Sequence, residues 1–358
     1  MRHLGLDIGT KNIVIAYQDK DDVSFIKETN GYFVYPRATK FIENMLGNPA
    51  IARSDGTKRP AKWIKIPESE ALCVLGADAE ELAYAQNATM SRPMAEGSVT
   101  SDEQSLTILA SIVQGLLEMA ENEIGKFDGT VHICYCTTAP AVNKAINMDY
   151  HRKVIDMIIN GYESKAKIQT STITESHAIV LKESPDGTGI GISWGAGTVT
   201  VSYIKWGTEV YSFCWVGAGD WIDSEVAQRH GYMPGSSTKS KETPTTVSRR
   251  KQVIDLTPGA EPEDRVGLDI TLHYQILINN VVQGIIQGFQ ANENAARIDG
   301  GVNIYMAGGT CSPKGFEKRV LLALKEKGCP FEVASVTKSQ TPLFTVAEGC
   351  LAAAALQS

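Results

Sequence analysis

Two similar segments carry most of the structural information in this sequence: Leu4-Gly5-Leu6-Asp7-Ile8-Gly9-Thr10-Lys11-Asn12 and Ile192-Ser193-Trp194-Gly195-Ala196-Gly197-Thr198-Val199-Thr200-Val201. Each consists of an apolar strand, a tight turn that contains glycine, and the start of a return strand. A single hairpin of this kind is usually an ordinary β-turn. Two of them, each opening one half of the chain, indicate an internal repeat and a molecule built from two similar halves.

The turns of these hairpins have the composition of a phosphate site. Glycine allows backbone N–H groups to approach phosphate oxygens, and Thr10 and Thr198 add hydroxyl donors. Lys11 adds a positive charge, and Asp7, at the end of the first strand, supplies a carboxylate of the kind that Mg²⁺ prefers. Neither hairpin has the pattern of a P-loop or of a dinucleotide-binding glycine motif. We therefore expect the two halves to hold one polyphosphate between them.

The rest of the chain alternates strands and helices, which is typical of an α/β fold. Hydrophobic periodicity predicts helices over 101–124, 143–160, 175–183, 270–290 and 346–356, and strands over 131–136, 168–173 and 302–307. The segment from about 31 to 94 is interrupted by Gly, Asn, Asp and Pro, which predicts an inserted subdomain. Pro185-Asp186-Gly187 predicts a turn between the halves.

Bulk composition indicates a soluble globular protein without nucleic-acid affinity. The 358 residues, 43% hydrophobic and 21% charged, suffice for two domains with separate cores. A net charge of −7 and scattered Lys and Arg argue against direct nucleic-acid binding. Only Met1-Arg2-His3 precede the first strand, which predicts no signal peptide, no intrinsic membrane anchor and a cytoplasmic location. The seven cysteines lack zinc-ligand spacing, so we expect buried thiols.

Five motifs together resemble those of a known superfamily. The two hairpin segments resemble the first and second phosphate motifs of the actin, DnaK-type chaperone and sugar-kinase ATPases. Tyr305-Met306-Ala307-Gly308-Gly309-Thr310-Cys311 resembles their adenosine motif. Thr174-Glu175-Ser176-His177-Ala178 and Val346-Ala347-Glu348-Gly349-Cys350-Leu351-Ala352 resemble the two connecting helices. The resemblance implies an α/β, actin-like (ribonuclease H-like) fold of duplicated domains around a central nucleotide cleft.

The resemblance also implies a division of the chain into domains. Residues 1–183 and 340–358 would form domain I, with the inserted subdomain at about 31–94. Residues 184–339 would form domain II, with a second inserted subdomain at about 223–265.

Within the superfamily, the sequence is most similar to bacterial actins of the MreB and MamK type. The similar segments are Arg92-Pro93-Met94-Ala95-Glu96-Gly97, Thr138-Ala139-Pro140-Ala141-Val142-Asn143-Lys144-Ala145 and Gly217-Ala218-Gly219-Asp220-Trp221-Ile222-Asp223. This implies an ATPase that uses ATP/ADP and Mg²⁺ and polymerises with itself into a cytoskeletal filament, with adaptor partners not identified. The alternative is a non-polymerising nucleotide switch or a small-molecule kinase of the same fold. A kinase would need an Asp base beside a sugar site, and the sequence identifies none.

Individual roles follow from the resemblance. Phosphate contacts are implied for Gly9, Thr10, Lys11, Asn12, Gly195, Ala196, Gly197 and Thr198, and adenosine contacts for Gly308, Gly309, Thr310 and Cys311. Gly219 and Lys251 are implied as further nucleotide contacts. Asp7 is implied as the Mg²⁺ ligand and, with Glu175, as a catalytic residue. Glu175 matches the glutamate that orients or deprotonates the attacking water.

Two of these residues have simpler interpretations. Lys251 follows Arg249 and Arg250, and the three could form a solvated basic patch. Glu175 opens a predicted helix, where a carboxylate interacts favourably with the helix dipole. Both alternatives remain open at the level of sequence.

One position departs from the family pattern. The second phosphate motif normally begins with Asp, and Ser193 occupies that place. Mg²⁺ would then have one fewer anionic partner. We therefore expect ATP binding and polymerisation with slow hydrolysis, and a faster phosphate release after Ser193→Asp.

Overall fold

The computed structural model describes residues 1–50, 56–66, 70–86, 88–234, 240–292 and 300–357. The strands are β1 (Arg2–Ile8), β2 (Asn12–Asp19), β3 (Asp22–Thr29), β4 (Tyr32–Tyr35), β5 (Trp63–Lys65), β6 (Leu72–Leu75), β7 (Met94–Ala95), β8 (Ser98–Val99), β9 (Thr130–Thr137), β10 (Lys167–Thr174), β11 (Gly189–Trp194), β12 (Thr198–Lys205), β13 (Thr208–Val216), β14 (Val302–Ala307) and β15 (Val333–Lys338). The helices are α1 (Lys40–Leu46), α2 (Gly76–Ala85), α3 (Glu103–Ile124), α4 (Met148–Asn160), α5 (Glu175–Glu183), α6 (Gly219–Arg229), α7 (Pro244–Val253), α8 (Arg265–Ala291), α9 (Phe316–Lys327) and α10 (Thr345–Leu356).

Two five-stranded sheets with the same topology dominate the molecule. Their strand orders are β10-β9-β1-β2-β3 and β13-β12-β11-β14-β15. In each sheet the central strand pairs antiparallel with the next strand of its own hairpin and parallel with a later strand on the other side. The internal repeat and the actin-like α/β fold predicted from the sequence are therefore confirmed.

Helices α5 and α10 connect the halves and pack on glycines of the central strands. A Cβ atom on Gly191 of β11 would lie 2.0 Å from the carbonyl oxygen of Ser176 in α5. A Cβ atom on Gly5 of β1 would lie 2.0 Å from the carbonyl oxygen of Ala347 in α10. Only glycine permits so close an approach between strand and helix. These positions therefore determine how closely the two helices sit against the sheets.

Each sheet has its own apolar core. Helices α3 and α4 cover the first sheet, and α8 and α9 pack in the core of the second. The predicted helix at 101–124 begins at Glu103, because the Asp102 side chain accepts a hydrogen bond from the N–H of Ser105. Across the described residues, no helix combines the length and the apolar character that crossing a membrane requires.

Trp194 belongs to the strand that precedes the second hairpin turn. Trp194 is the last residue of β11, and its side chain is fully buried. Its ring lies edge-on to Phe316, with 4.9 Å between the ring centroids. An aromatic pair of this geometry stabilises the core beyond the area it buries. Trp194 is therefore a packing residue, and the turn consists of Gly195, Ala196 and Gly197.

The segment after β9 differs from the sequence prediction. The periodicity predicts a helix from 143, but α4 begins only at Met148. The backbone N–H of Val142 instead donates to the carbonyl of Cys214 over 3.0 Å. The side-chain amide of Asn143 bonds both the N–H and the carbonyl of Val216, each over 2.8 Å. Bonds of this kind compete with helix formation, and they attach this segment to β13 of the other half.

Each half carries an additional region beside its main sheet. The first half has the three-stranded sheet β4-β6-β5 with α1 and α2, and the second has α6, α7 and the start of α8. Three side-chain pairs join the two regions: Tyr84 with Arg249, whose guanidinium lies 3.4 Å from the ring centroid; Thr89 with Tyr232, whose oxygens are 2.9 Å apart; and the ion pair of Arg92 with Asp220.

Candidate functional site

The carboxyl ends of β1 and β11 face a shared cavity of about 380 Å³. Its wall contains almost every site residue that the sequence predicts. Those present are Asp7, Gly9, Thr10, Lys11, Asn12, Glu175, Gly195, Ala196, Gly197, Thr198, Gly219, Lys251, Gly308, Gly309 and Thr310. Residues from six separate segments of the chain thus meet at one place, at the strand ends where α/β folds usually bind ligands.

The first hairpin turn is held from behind by Asn30. The N–H of Gly9 donates to the carbonyl of Asn12 over 3.0 Å and closes the turn. Asn30 is fully buried, and its side-chain amide donates to the carbonyl of Gly9 over 2.9 Å. Its backbone N–H donates to the carbonyl of Lys11 over 2.8 Å. The carbonyls of Gly9, Lys11 and Asn12 are therefore engaged by the protein.

The second turn is held in the same way. The carbonyls of Gly195, Ala196 and Gly197 each accept a hydrogen bond from the protein. Their donors are the Thr310 hydroxyl at 2.6 Å and the N–H of Gly219 at 3.3 Å for Gly195, the N–H of Asp220 at 2.8 Å for Ala196, and the N–H of Gly217 at 3.0 Å for Gly197. Occupied acceptors are what an anion site requires, because a free carbonyl would repel a phosphate oxygen.

The two turns approach each other closely across the cavity. A Cβ atom on Gly197 would lie 2.7 Å from the Thr10 hydroxyl oxygen and 2.8 Å from the backbone nitrogen of Gly97. The N–H of Gly97 also donates to the Thr10 hydroxyl over 3.2 Å. Gly97 has φ of +75°, a conformation that favours glycine. The loop 92–97 therefore reaches the point where the hairpins meet.

Asp7 and Glu175 are two of the carboxylates that line the cavity, and burial raises the pKa of both. Burial raises the pKa of Asp7 to about 6, although the Cys136 thiol donates to its Oδ1 over 3.2 Å. Burial and the nearby charge of Asp7 raise the pKa of Glu175 to about 7. A cation placed beside them would offset both effects. The pair therefore fits a site for a cation or for a proton acceptor.

Two hydroxyl groups contact Glu175. The Thr200 hydroxyl donates to Oε2 over 3.4 Å, and the Ser193 hydroxyl also bonds the carboxylate. Ser193 and Thr200 are directly opposite each other on β11 and β12. Both hydrogen bonds favour the ionised form of Glu175 and partly oppose the effect of burial. Glu175 is thus held by side chains and is more than a charge at a helix start.

Two lysines bring amino groups to the cavity wall. Lys11 Nζ donates to the Ser248 hydroxyl over 2.6 Å, and burial lowers the pKa of Lys11. Lys251 is buried, pairs with Asp223 Oδ1 at 2.7 Å and donates to the carbonyl of Gly219 over 2.5 Å. Lys251 is therefore not part of a solvated basic patch. Its position bridges α7 and the turn that follows the second hairpin.

The adenosine-like motif forms another wall of the cavity. Gly308 has φ of +100°, and a Cβ atom on it would lie 2.3 Å from the carbonyl oxygen of Trp194. Gly309 faces Leu343, whose Cδ2 would lie 3.3 Å from a Cβ atom at position 309. Two glycines and an aliphatic side chain give this wall an apolar surface, against which a planar ring of a ligand could pack.

Cys311 is the predicted residue that the structure places away from the cavity. Its side chain is fully buried, and its Sγ donates to the carbonyl of Gly308 over 3.1 Å. Burial raises the pKa of its thiol to about 12. Cys311 supports the wall from behind.

The sequence analysis did not predict several residues that line the cavity: Lys27, Thr29, Glu80, Cys136, Thr137, Thr138, His151, Ser312 and Leu343. For some of them, the sequence contains a pattern that could have predicted this position. Cys136 and Thr137 end β9, the parallel neighbour of β1, and parallel strands end at the same edge of a sheet. His151 and Glu80 lie on helices, and nothing in the sequence pattern around them indicates a cavity.

Comparison with known proteins agrees with this architecture. The family model described as Volactin matches residues 1–354. Among solved structures, the MamK double helical filament is 14% identical, with coverage of 99% of this chain and 98% of MamK and a TM-score of 0.67. MreB5 of Spiroplasma citri bound to ADP is 12% identical, with coverage of 97% and 94% and a TM-score of 0.63.

A third similar structure is the filament of AlfA from B. subtilis plasmid pLS32. It is 11% identical, with coverage of 98% of both chains and a TM-score of 0.53. No curated protein matches the sequence. At such identities the structural matches establish the fold, and the family match extends over nearly the whole sequence. The chain belongs to the Volactin family and has the fold of the actin-like proteins.

Proposed function

We propose that this protein binds ATP with Mg²⁺ between its halves, hydrolyses the ATP slowly, and assembles with copies of itself into a cytoplasmic filament. One observation carries the proposal: the two glycine turns meet at a single cavity, so closely that a Cβ atom on Gly197 would lie 2.7 Å from the Thr10 hydroxyl oxygen. Three carbonyls of each turn are engaged by the protein, so the cavity can offer N–H groups, hydroxyls and the amino group of Lys11 to a polyphosphate. The apolar wall at Gly309 and Leu343 offers a place for the base.

In this proposal Asp7 would hold Mg²⁺. A divalent cation beside this buried carboxylate would offset the effect that raises its pKa to about 6. Bound Mg²⁺ would neutralise charge on the phosphate oxygens. Among the described residues, no group of three or more His, Cys, Asp or Glu could hold a metal ion. Phosphate oxygens and water would fill the other positions, as Mg²⁺ prefers.

Glu175 would be the proton acceptor. The oxygen of a water molecule forms a bond to the γ-phosphorus, the bond to the bridging oxygen breaks, ADP leaves, and the water proton moves to Glu175. Burial raises the pKa of Glu175 to about 7 without a cation, and Mg²⁺ at Asp7 would lower it, so the carboxylate would be ionised and able to accept a proton near neutral pH. We propose a slow reaction because Ser193 supplies a hydroxyl where a second carboxylate would help to hold the metal.

Two of the similar structures are filaments, which supports self-assembly of this protein. Those of MamK and AlfA are filaments, and each aligns with this chain over at least 98% of both lengths. MreB5 was solved with bound ADP. We propose the same two-domain division as above, with residues 1–183 and 340–358 in one domain and 184–339 in the other.

Sedimentation with Mg-ATP tests the proposal, followed by negative-stain microscopy of the pellet. We expect filaments in the pellet with Mg-ATP and a clear supernatant without nucleotide. Glu175→Gln should assemble as well but release phosphate at a much lower, still measurable rate, so its filaments should persist longer. Nucleotide binding without any pellet at high concentration would favour the non-polymerising switch or kinase instead.

A further inference from the structure

A network of hydroxyls and one carboxylate joins the first turn of α5 to the second sheet. Glu209 Oε2 accepts hydrogen bonds from Thr174 Oγ1 at 2.6 Å and Ser202 Oγ at 3.0 Å, and its Oε1 accepts from Ser212 Oγ at 2.8 Å. Ser176 Oγ lies 2.6 Å from Ser202 Oγ, and both of these residues are fully buried. All five residues lie outside the cavity wall.

The carboxylate of Glu209 sets the direction of the hydrogen bonds that it accepts from Thr174, Ser202 and Ser212. An ionised carboxylate only accepts hydrogen bonds, and each hydroxyl has a single proton to donate. The proton of Ser202 points to Glu209, so Ser202 accepts from Ser176. The proton of Thr174 also points to Glu209, which leaves its oxygen free to accept from the N–H of His177 at 3.3 Å.

The network holds Glu175 on both sides. Thr174 is the N-cap of α5 and Ser176 is its second residue, so Glu175 lies between two anchored neighbours. Both anchors are attached to the second half through Ser202 on β12. Thr200, two residues earlier on the same face of β12, bonds the Glu175 carboxylate itself. Hydrogen bonds to β12, the strand that follows the second hairpin turn, thus position both the backbone and the side chain of Glu175.

We infer that Glu209 is a positioning residue for Glu175, acting through Thr174, Ser202 and Ser176 from a surface position on β13. The inference rests on the proposed hydrolysis. Glu209 has no contact with the cavity, so its role is to fix where the first turn of α5 sits relative to the Gly195–Gly197 turn. A displacement of a reacting group by about 1 Å can slow a reaction by about a hundredfold.

Glu209→Gln is the test, because the amide has the same shape but can donate as well as accept. Glu183→Gln is the matched control: it also removes one negative charge, but from the last residue of α5, the helix that carries Glu175. Phosphate release in a single turnover and nucleotide affinity by calorimetry are measured for both variants and for the wild type. The double variant Glu175→Gln/Glu209→Gln is measured beside Glu175→Gln.

We expect Glu209→Gln to slow phosphate release by about tenfold or more while nucleotide affinity stays within about twofold. Glu183→Gln should behave as the wild type, and the double variant should be no slower than Glu175→Gln. Any of three results overturns the inference: Glu209→Gln releases phosphate at the wild-type rate, its nucleotide affinity falls in parallel with its rate, or the double variant releases phosphate more slowly than Glu175→Gln. A wild type that binds nucleotide but releases no phosphate overturns the proposed hydrolysis as well, and the two failures are thereby distinguished.

Discussion

At the scale of single residues, the buried carboxylate of Glu175, the proposed proton acceptor, lowers the free energy of unfolding when it is ionised. The pKa of Glu175 in the folded protein is about 7, above the ordinary value of 4.5. The folded state therefore holds this proton more tightly than the unfolded chain does. Above the folded pKa the folded protein must bury the charge, so its free energy of unfolding falls as the pH rises from about 4.5 to about 7.

Glu175→Gln should therefore stabilise the nucleotide-free protein at alkaline pH. We expect its free energy of unfolding to rise by about 2 kcal/mol near pH 8, and the gain to vanish near pH 5, where the wild-type carboxyl is already protonated. Urea denaturation at both pH values measures this. A gain that is equal at both pH values would contradict the raised pKa.

Ser193 gives a second prediction at this scale. Ser193→Asp places a carboxylate beside Glu175 and Asp7, where it can share the proposed Mg²⁺. We expect phosphate release to become at least about tenfold faster in the presence of Mg²⁺. Ser193→Asn is the matched control, since its side chain has the same size without the charge. If Ser193→Asp releases phosphate no faster than the wild type, the role given to Ser193 is wrong.

At the scale of elements, the site depends on how α5 and α10 are seated. Glu175 reaches the cavity because Gly191 and Gly5 let the two helices lie directly on the central strands. The network at Ser202 then fixes the first turn of α5. The catalytic geometry proposed here is therefore a consequence of close helix–strand packing.

Gly191→Ala should disrupt this packing. The added Cβ would lie 2.0 Å from the carbonyl oxygen of Ser176, and backbone must move to admit it. We expect a loss of about 3 kcal/mol in the free energy of unfolding, measured by urea denaturation. Gly115→Ala in α3 is the control: its Cβ would meet nothing within 4 Å, so it should gain about 1 kcal/mol from helix propensity. A neutral Gly191→Ala would refute the close seating of α5.

The sequence predicts these elements unevenly. The hairpins and α5 are predictable because glycines, Thr caps and apolar runs are local signals, and the second half repeats the first. The helix boundary at 143 is not, because Asn143 bonds Val216, a partner that periodicity cannot reveal. The roles of Leu343 and Asn30 in the site are not predictable for the same reason: they arise from contacts with residues far away in the chain.

At the scale of the whole molecule, contacts between the additional regions bridge the halves. Tyr84 and Thr89 belong to the first half, and their partners Arg249 and Tyr232 to the second. Arg249 is two residues from Lys251, which lines the cavity. A nucleotide enclosed in the cavity would leave only as fast as such contacts open.

Tyr84→Ala should therefore increase the rate of nucleotide dissociation. The arrangement in which the two additional regions touch would lose about 1 kcal/mol of stability without the contact to Arg249. This corresponds to a nucleotide dissociation rate that is about fivefold higher. Stopped-flow release of a fluorescent nucleotide measures it. Tyr150→Ala, on α4 in the first half, is the control and should leave the rate unchanged. Equal dissociation rates for Tyr84→Ala and the wild type would contradict a role for this contact.

Both halves are proposed to bind one nucleotide through their glycine turns. Calorimetric titration with Mg-ATP, for the wild type and for Gly197→Val, is the decisive test. We expect one nucleotide bound per chain and no measurable heat for Gly197→Val, whose side chain would occupy the space between the turns. Full binding by Gly197→Val, or no heat of association with the folded wild type, would contradict it.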